Sequence, residues 1–318
     1  MDDLMIEVSD ISKAFGPTKA LDGVTLGAER GTVLGLLGHN GAGKTTLVNI
    51  LSTLALPTSG RARVAGLDVT REAEEVRRRI GLTGQYAAVD ETLSGRGNLV
   101  LIARLLGASR SRAAARADEL LEIFDLTGAA ERKAKTYSGG MRRRLDLAAG
   151  LVGHPGVIFL DEPTTGLDPA ARRALWEIVK GLVKDGTTVL LTTQYLDEAD
   201  YLADSITVLA AGRVIASGTA DELKNRIGRR TVSVTVRGEQ DRPRAAEALR
   251  GAGFSPAHEG DGLVLTMPVT DSTDLARVVR ATDDAEVDLA GLAFAEPSLD
   301  DVYMALNHST GHQAGIPR

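Results

Sequence analysis

The chain has 318 residues, a formal net charge of -6, 43% hydrophobic residues and only 3% aromatic ones. Such a length suggests two domains, or one large domain with an appendix, and the acidic balance argues against a basic body that binds nucleic acid. The absence of cysteine excludes disulfides, thiol catalysis and Cys-ligated zinc. The histidines show no metal-ligand pairing, no signal peptide is expected, and no apolar run reaches the roughly 20 residues of a membrane span.

In chain order, Met5-Ile6-Glu7-Val8 and residues 21–26 read as short strands, split by a loop Lys13-Ala14-Phe15-Gly16-Pro17. Phe15 in that loop can be read as a purine-stacking ring or as a plain packing anchor. The apolar run Val33-Leu34-Gly35-Leu36-Leu37 then leads into Gly38-His39-Asn40-Gly41-Ala42-Gly43-Lys44-Thr45-Thr46, and Leu47-Val48-Asn49-Ile50-Leu51 continues as a helix. Strand, glycine loop, helix is the setting of a phosphate-binding loop, and it predicts a nucleoside triphosphate site. Glycines let successive N–H groups curl toward phosphate oxygens, and the helix N-terminus adds its positive dipole end. Lys44 is placed for the β- and γ-phosphates and the Thr45 hydroxyl for Mg²⁺.

A turn at Pro57-Thr58-Ser59-Gly60 precedes a hairpin or edge strand over 61–69, a short charged helix over 72–79 and a strand over 80–85. Helical patterns cover 98–106 and 111–126, with Ala117, Leu120, Leu121 and Phe124 on one face. The stretch 86–136 therefore reads as a helical subdomain inserted into an α/β body. A helix opens at Tyr137-Ser138-Gly139-Gly140-Met141. The continuous apolar runs 157–160 and 188–193 read as buried parallel strands flanking a helix over 170–184, and 206–216 reads as a closing hairpin. From 229 to 306 the pattern is βαβαβ, a small α+β module with strands at 231–236, 263–267 and 287–290 and helices at 244–250 and 275–281. Residues 307–318 read as a flexible tail.

A phosphate loop needs an acid for its metal, and Asp161 at the end of an apolar strand is the expected one. Glu162 beside it is placed to polarise an attacking water. Asp161-Glu162-Pro163 can also be read as a helix start, with an Asp cap and Pro in the first turn. Ser138-Gly139-Gly140 is a second Gly-rich helix start, able to bind another face of a triphosphate. Leu93-Ser94-Gly95-Arg96-Gly97 looks similar but lacks the adjacent glycine pair. One chain cannot easily aim two such loops at one nucleotide; two chains set head to tail can. The arginine clusters 77–79, 142–144 and 229–230 read as solvated helix faces rather than nucleic-acid contacts.

These motifs in this order resemble the ATP-binding subunits of ABC transporters over about residues 4–225. The resemblance implies a P-loop NTPase core of ABC type with an antiparallel β edge and the inserted helical subdomain. It makes Gln85 the Q-loop glutamine, which touches Mg²⁺ and passes motion to the subdomain. Tyr137 to Met141 becomes the signature, Thr165-Gly166-Leu167-Asp168 the loop whose Asp168 sits near nucleotide, and Phe15 the adenine-stacking aromatic. It also implies ATP and Mg²⁺ as ligands, a homodimer that sandwiches ATP, and a separate multi-pass membrane permease that holds the chain at the cytoplasmic face of the membrane. More narrowly, the stretches 83–90, 137–146, 192–200 and 296–303 resemble the daunorubicin-resistance type of bacterial drug-export ATPase. The signature here begins with Tyr137 and ends with Met141, where the superfamily usually has Leu and Gln. Gln194 stands where the superfamily usually has a switch histidine; its amide can donate to a γ-phosphate but cannot become cationic. A soluble ABC-type ATPase acting on ribosomes or DNA is the alternative reading.

Overall fold

The computed structural model describes residues 4–84, 89–227, 230–259, 263–270, 272–295, 298–299 and 302. The chain divides into two compact units, Met1–Ala220 and Asp221–Arg318. The division falls before residue 228, where the sequence reading set it.

The first unit opens on β1 (Leu4–Phe15) and β2 (Thr18–Glu29), followed by β3 (Val33–Leu37) and α1 (Lys44–Leu51). Then come β4 (Ser59–Val64), β5 (Leu67–Asp68), α2 (Ala73–Arg79) and β6 (Ile80–Thr83). The expected loop at Lys13-Ala14-Phe15 is strand instead. The ladder runs to Ala14↔Lys19 and Phe15↔Thr18, so the turn is only Gly16 and Pro17. The outer half of β1 is half-exposed on both faces, which leaves no period-2 signal to read. The sheet order is β2-β1-β4-β5.

The helical stretch consists of α3 (Gly95–Leu105) and α4 (Arg110–Ile123), each with a serine cap: Ser94 accepts from Gly97 N and Ser109 from Arg112 N. After it follow α5 (Gly139–Gly150), β7 (Val157–Asp161), α6 (Pro169–Lys184), β8 (Thr188–Thr193), α7 (Leu196–Leu202), β9 (Ser205–Ala210) and β10 (Arg213–Gly218). The second sheet has the order β10-β9-β3-β8-β7-β6, parallel throughout except for the β10–β9 hairpin.

Its central strands β3, β7 and β8 are buried on both faces and divide their side chains by the period of two. Leu34, Leu36, Val157, Phe159 and Leu190 join a core with β1, β2 and α1. Val33, Ile158, Leu160, Val189 and Leu191 join another with α3, α4, α5 and α6. The helical stretch therefore shares the core of the body it is inserted into. Each such leucine or phenylalanine is worth roughly 1.5–3 kcal/mol of burial. The two cores clamp the sheet, so the C-terminal ends of β3, β7 and β8 form a rigid platform.

Helix α8 (Ala220–Ile227) stands at the division. Beyond it lie β11 (Thr231–Val236), α9 (Asp241–Gly251), β12 (Ala257–Glu259), β13 (Val264–Pro268), α10 (Ser272–Asp284) and β14 (Leu289–Ala295). Their antiparallel order, β12-β13-β11-β14, is the split βαβ arrangement of ferredoxin-like domains. The sequence reading lacked β12, whose three residues Ala-His-Glu carry no apolar period.

Candidate nucleotide site

The glycine loop is held by steric necessity. Gly43 caps α1 with φ 109°. A Cβ there would lie 2.6 Å from the Ala20 carbonyl oxygen, and one at Gly38 would lie 2.5 Å from that of Leu209. The loop is thus pressed onto β2 and β9, and only glycine permits the approach. It frames a cavity of about 320 Å³ lined by Asn40, Gly41, Gly43, Lys44, Thr45 and Thr46, with Ala20 on one side and Glu162 on the other. The first turn of α1 offers its unpaired N–H groups to whatever enters. Lys44, 4% exposed, donates to the carbonyls of Gly38 at 2.7 Å and His39 at 3.2 Å, and its Nζ lies 3.6 Å from Glu162 Oε1.

Glu162 is carried into the lining by the end of β7, and behind it stand Asp161 and Thr192 at the ends of β7 and β8. Asp161 is 4% exposed; its Oδ2 accepts from Thr45 Oγ1 at 3.1 Å and its Oδ1 from Thr192 Oγ1 at 2.5 Å. The same Thr192 hydroxyl accepts from the Glu162 N–H at 3.1 Å, and the Thr192 carbonyl accepts it at 3.0 Å. Glu162 has φ 49°, a left-handed conformation that costs a non-glycine residue roughly 1–3 kcal/mol. The helix-start reading of Asp161-Glu162-Pro163 does not hold. The helix starts at Pro169, where Asp168 caps α6 by accepting from Ala170 N at 3.0 Å and Ala171 N at 2.9 Å. A hydroxyl and a carboxylate held 3.1 Å apart beside a phosphate-sized cavity are an all-oxygen donor pair. That suits Mg²⁺, which takes one or two protein oxygens and completes its shell with phosphates and water.

Other expected residues lie apart from this cavity. Ser138 caps α5, accepting from Met141 N at 3.3 Å; it and Gly139 are exposed, and neither lines the cavity. Tyr137, in the usual leucine position, is buried and donates to the Ala129 carbonyl at 2.8 Å. Burial raises its phenol pKa. A Cβ on Gly95 would collide with its oxygen, so tyrosine here goes with glycine there. Phe15 is 56% exposed, with Lys13 Nζ 4.9 Å from its ring centre, and it is not in the lining. Gln194 is exposed just past β8. Gln85 and Tyr86 lie outside the described residues.

Arginines 142–144 are not a solvated face. Arg142 pairs with Glu91 at 2.8 Å, and Arg144 donates to the Phe124 carbonyl at 2.9 Å and to Asp125. Arg143 turns inward to the carbonyls of Gly84, Asp161, Glu162 and Pro163. Burial lowers its pKa, opposed by Asp146, Asp161 and Glu198. Of the remaining clusters, Arg78 pairs with Glu74 and Glu75 on the surface, and Arg229 lies outside the described residues. Sequence reasoning missed Thr192, Arg143 and Ala20. For Thr192 a signal existed, a pair of hydroxyl residues closing a buried apolar run. It also missed Glu198 on α7, fully buried, which accepts from Trp176 Nε1 at 3.1 Å. Burial raises its carboxyl pKa, which the bond from Trp176 partly offsets.

A family model described as ABC transporter matches residues 21–165, which takes in the glycine loop, Ser138 and Asp161. The daunorubicin resistance ATP-binding protein DrrA3 of Streptomyces coeruleorubidus is 54% identical over 98% of this chain and 97% of that protein. The chain belongs to the ABC transporter ATP-binding proteins of the daunorubicin-resistance type. The doxorubicin resistance ATP-binding protein DrrA of Mycobacterium tuberculosis is 49% identical over 96% of this chain and 94% of its own length. Among solved structures, a dimeric post-hydrolysis ATP-binding cassette bound to ADP and Pi is 27% identical. It has a TM-score of 0.62, covering 68% of this chain and 98% of that one. The solved cassette thus matches a part of the chain, whereas the resistance proteins match nearly all of it. As a member of this family the chain binds ATP and is an ATPase. No helix among the described residues is long and apolar enough to cross a membrane.

Proposed function

We propose that the chain powers export of a drug or other amphiphile through a separate multi-pass membrane permease, which holds it at the cytoplasmic face of the membrane. ATP hydrolysis takes place at the interface of a head-to-tail homodimer. The observation that carries this reading is the convergence of Lys44, Thr45 and Glu162 on one glycine-lined cavity, with Asp161 bonded to Thr45 behind it.

The loop from Gly38 to Thr46 holds the phosphates through its N–H groups. Lys44 exchanges its carbonyl partners for phosphate oxygens and neutralises charge as it builds there. Thr45 and Asp161, with Gln85, would hold Mg²⁺, which when bound neutralises charge on the β- and γ-phosphates. Glu162 orients or deprotonates the attacking water, while Thr192 keeps its backbone in place. The Gln194 amide donates to the γ-phosphate, and Phe15 stacks on the adenine.

Ser138, Gly139, Gly140 and Asp168 complete the site from the second copy. The exposure of Ser138 and Gly139 outside the cavity supports that division, as does the dimeric state of the solved cassette. A drug as cargo is supported by the resistance for which the full-length relatives are named. A membrane partner is supported by leucines left exposed after α1 (Leu54 and Leu56) and at the end of α3 (Leu105 and Leu106). The module of residues 229–306 serves dimerisation or regulation of coupling.

The test is capture of tagged Glu162→Gln protein from detergent-solubilised native membranes with ATP present, partners being identified by mass spectrometry. A stoichiometric multi-pass membrane protein is expected. Recovery only from the soluble fraction, with ribosomal or DNA-associated partners, would favour the soluble ATPase instead.

A further inference from the structure

Three consecutive arginines on α5 reach three different places, and the middle one reaches the catalytic strand. Arg143 Nε donates to the Pro163 carbonyl at 2.7 Å. Its two terminal nitrogens donate to Gly84 at 3.2 Å, Asp161 at 3.1 Å and Glu162 at 3.2 Å. A half-buried guanidinium ordinarily meets a carboxylate fork; this one is given to four backbone carbonyls. Three of them surround the left-handed peptide of Glu162, a conformation that persists only where its surroundings over-determine it. The fourth is the residue before Gln85. Arg143 sits five residues, about 7.5 Å along the helix axis, from Ser138, the cap of the same helix. A helix turn is stiff at that range, so a displacement of the Ser138 end is delivered to the peptide of Glu162.

We propose that Arg143 is a positioning residue that makes the aim of Glu162 depend on nucleotide at the other half-site. The inference rests on the shared-site reading above. Ser138 contacts the nucleotide held by the partner's loop, whereas Glu162 works on the nucleotide held by its own chain. When Ser138 is seated, α5 holds Arg143 where its fork sets the Asp161-Glu162-Pro163 carbonyls. When it is not, the fork loosens and Glu162 leaves its line to the water. Arg143 itself touches no reacting atom. Because the link is a coupling between two binding sites, it works in both directions.

The experiment compares steady-state ATPase kinetics and ATP affinity of the full chain as wild type, Arg143→Gln, Arg143→Lys and Glu162→Gln. Wild type is expected to hydrolyse ATP with a Hill coefficient above one. Arg143→Gln is expected to lose roughly tenfold or more in kcat, as small misplacements of a catalytic group do, with ATP affinity retained and the Hill coefficient falling to one. Arg143→Lys keeps the charge but not the fork, and should fall between. An active Glu162→Gln would overturn the underlying reading rather than this step. An inactive Glu162→Gln beside an Arg143→Gln with wild-type kcat and cooperativity would overturn this step alone. If Arg143→Gln does not fold, Arg143→Lys decides: wild-type kcat and an unchanged Hill coefficient in that variant would overturn the step, because lysine lacks the fork.

Discussion

The described interior of the first unit holds Lys44, Asp161, Thr164, Thr192, Thr193 and Glu198. Among the described residues of the second, the only buried polar side chain is Thr282, whose hydroxyl donates back to Val278 and Val279. Both units are sheets packed against helices, so architecture does not explain the contrast. Burying a polar group costs free energy unless it is bonded. Around the cavity the first unit meets that cost with a web running through Thr45, Asp161, Thr192, Glu162 and Arg143, while Thr164 Oγ1 and Glu198 Oε2 have no hydrogen-bond partner among the described residues. The second has an apolar core of Val232, Val234, Leu249, Leu265 and Met267. Departures from simple burial therefore mark where the chemistry is.

The sharpest way to break the contrast is to remove members of the web. Glu162→Gln should bind ATP and lose about a hundredfold to ten-thousandfold in kcat, read by phosphate release beside an ATP-binding titration. Near-normal turnover would remove Glu162 as the base. Next in size is a lesion of the second core. Leu249→Ala, at a fully buried site, should cost about 2–5 kcal/mol in denaturant titration and leave ATP affinity as it was. A loss of ATP affinity in the folded variant would show that the division of labour is wrong.

Glu198 gives a smaller, pH-dependent effect. Its folded-state pKa is raised by burial above the ordinary 4.5, so the folded chain holds a proton that the unfolded chain releases. The stability this contributes is complete below 4.5 and is lost as pH rises through the folded value. Glu198→Gln should flatten that decline in thermal melts taken across the range. An unchanged slope would place the sensitivity elsewhere. The smallest effect concerns Gln194, where Gln194→His should retain or raise ATPase activity; a collapse would show that the amide itself is required.

How far these features were legible in the sequence follows the same contrast. Buried parallel strands announce themselves as apolar runs, and the glycine loop as a fixed spacing, so β3, β7, β8 and the loop residues of the cavity could be read directly, whereas Ala20, brought in from β2, could not. The face of α4 was legible too, because Ala117, Leu120, Leu121 and Phe124 recur at helical spacing and are all buried. Short or polar elements were not: β12 has three residues, and α7 carries acids at Asp197, Glu198 and Asp200. Arg143 misled because its partners are main-chain carbonyls, which no side-chain pattern encodes. Phe15 stayed ambiguous because an exposed ring needs a ligand, not a neighbour, to declare its use.

The central claim is that one nucleotide site is built from two copies of the chain, Lys44 from one and Ser138 from the other. Mixing Lys44→Ala protein with Ser138→Arg protein tests it most directly. Neither should form an ATP-dependent dimer alone. A mixed dimer, however, has one site with both elements intact and one with both lost, so ATP should bring the two variants together when they are mixed, read by analytical ultracentrifugation rather than by turnover, which also depends on the Arg143 link. A mixture that stays monomeric with ATP would contradict the shared site and return both elements to a single chain.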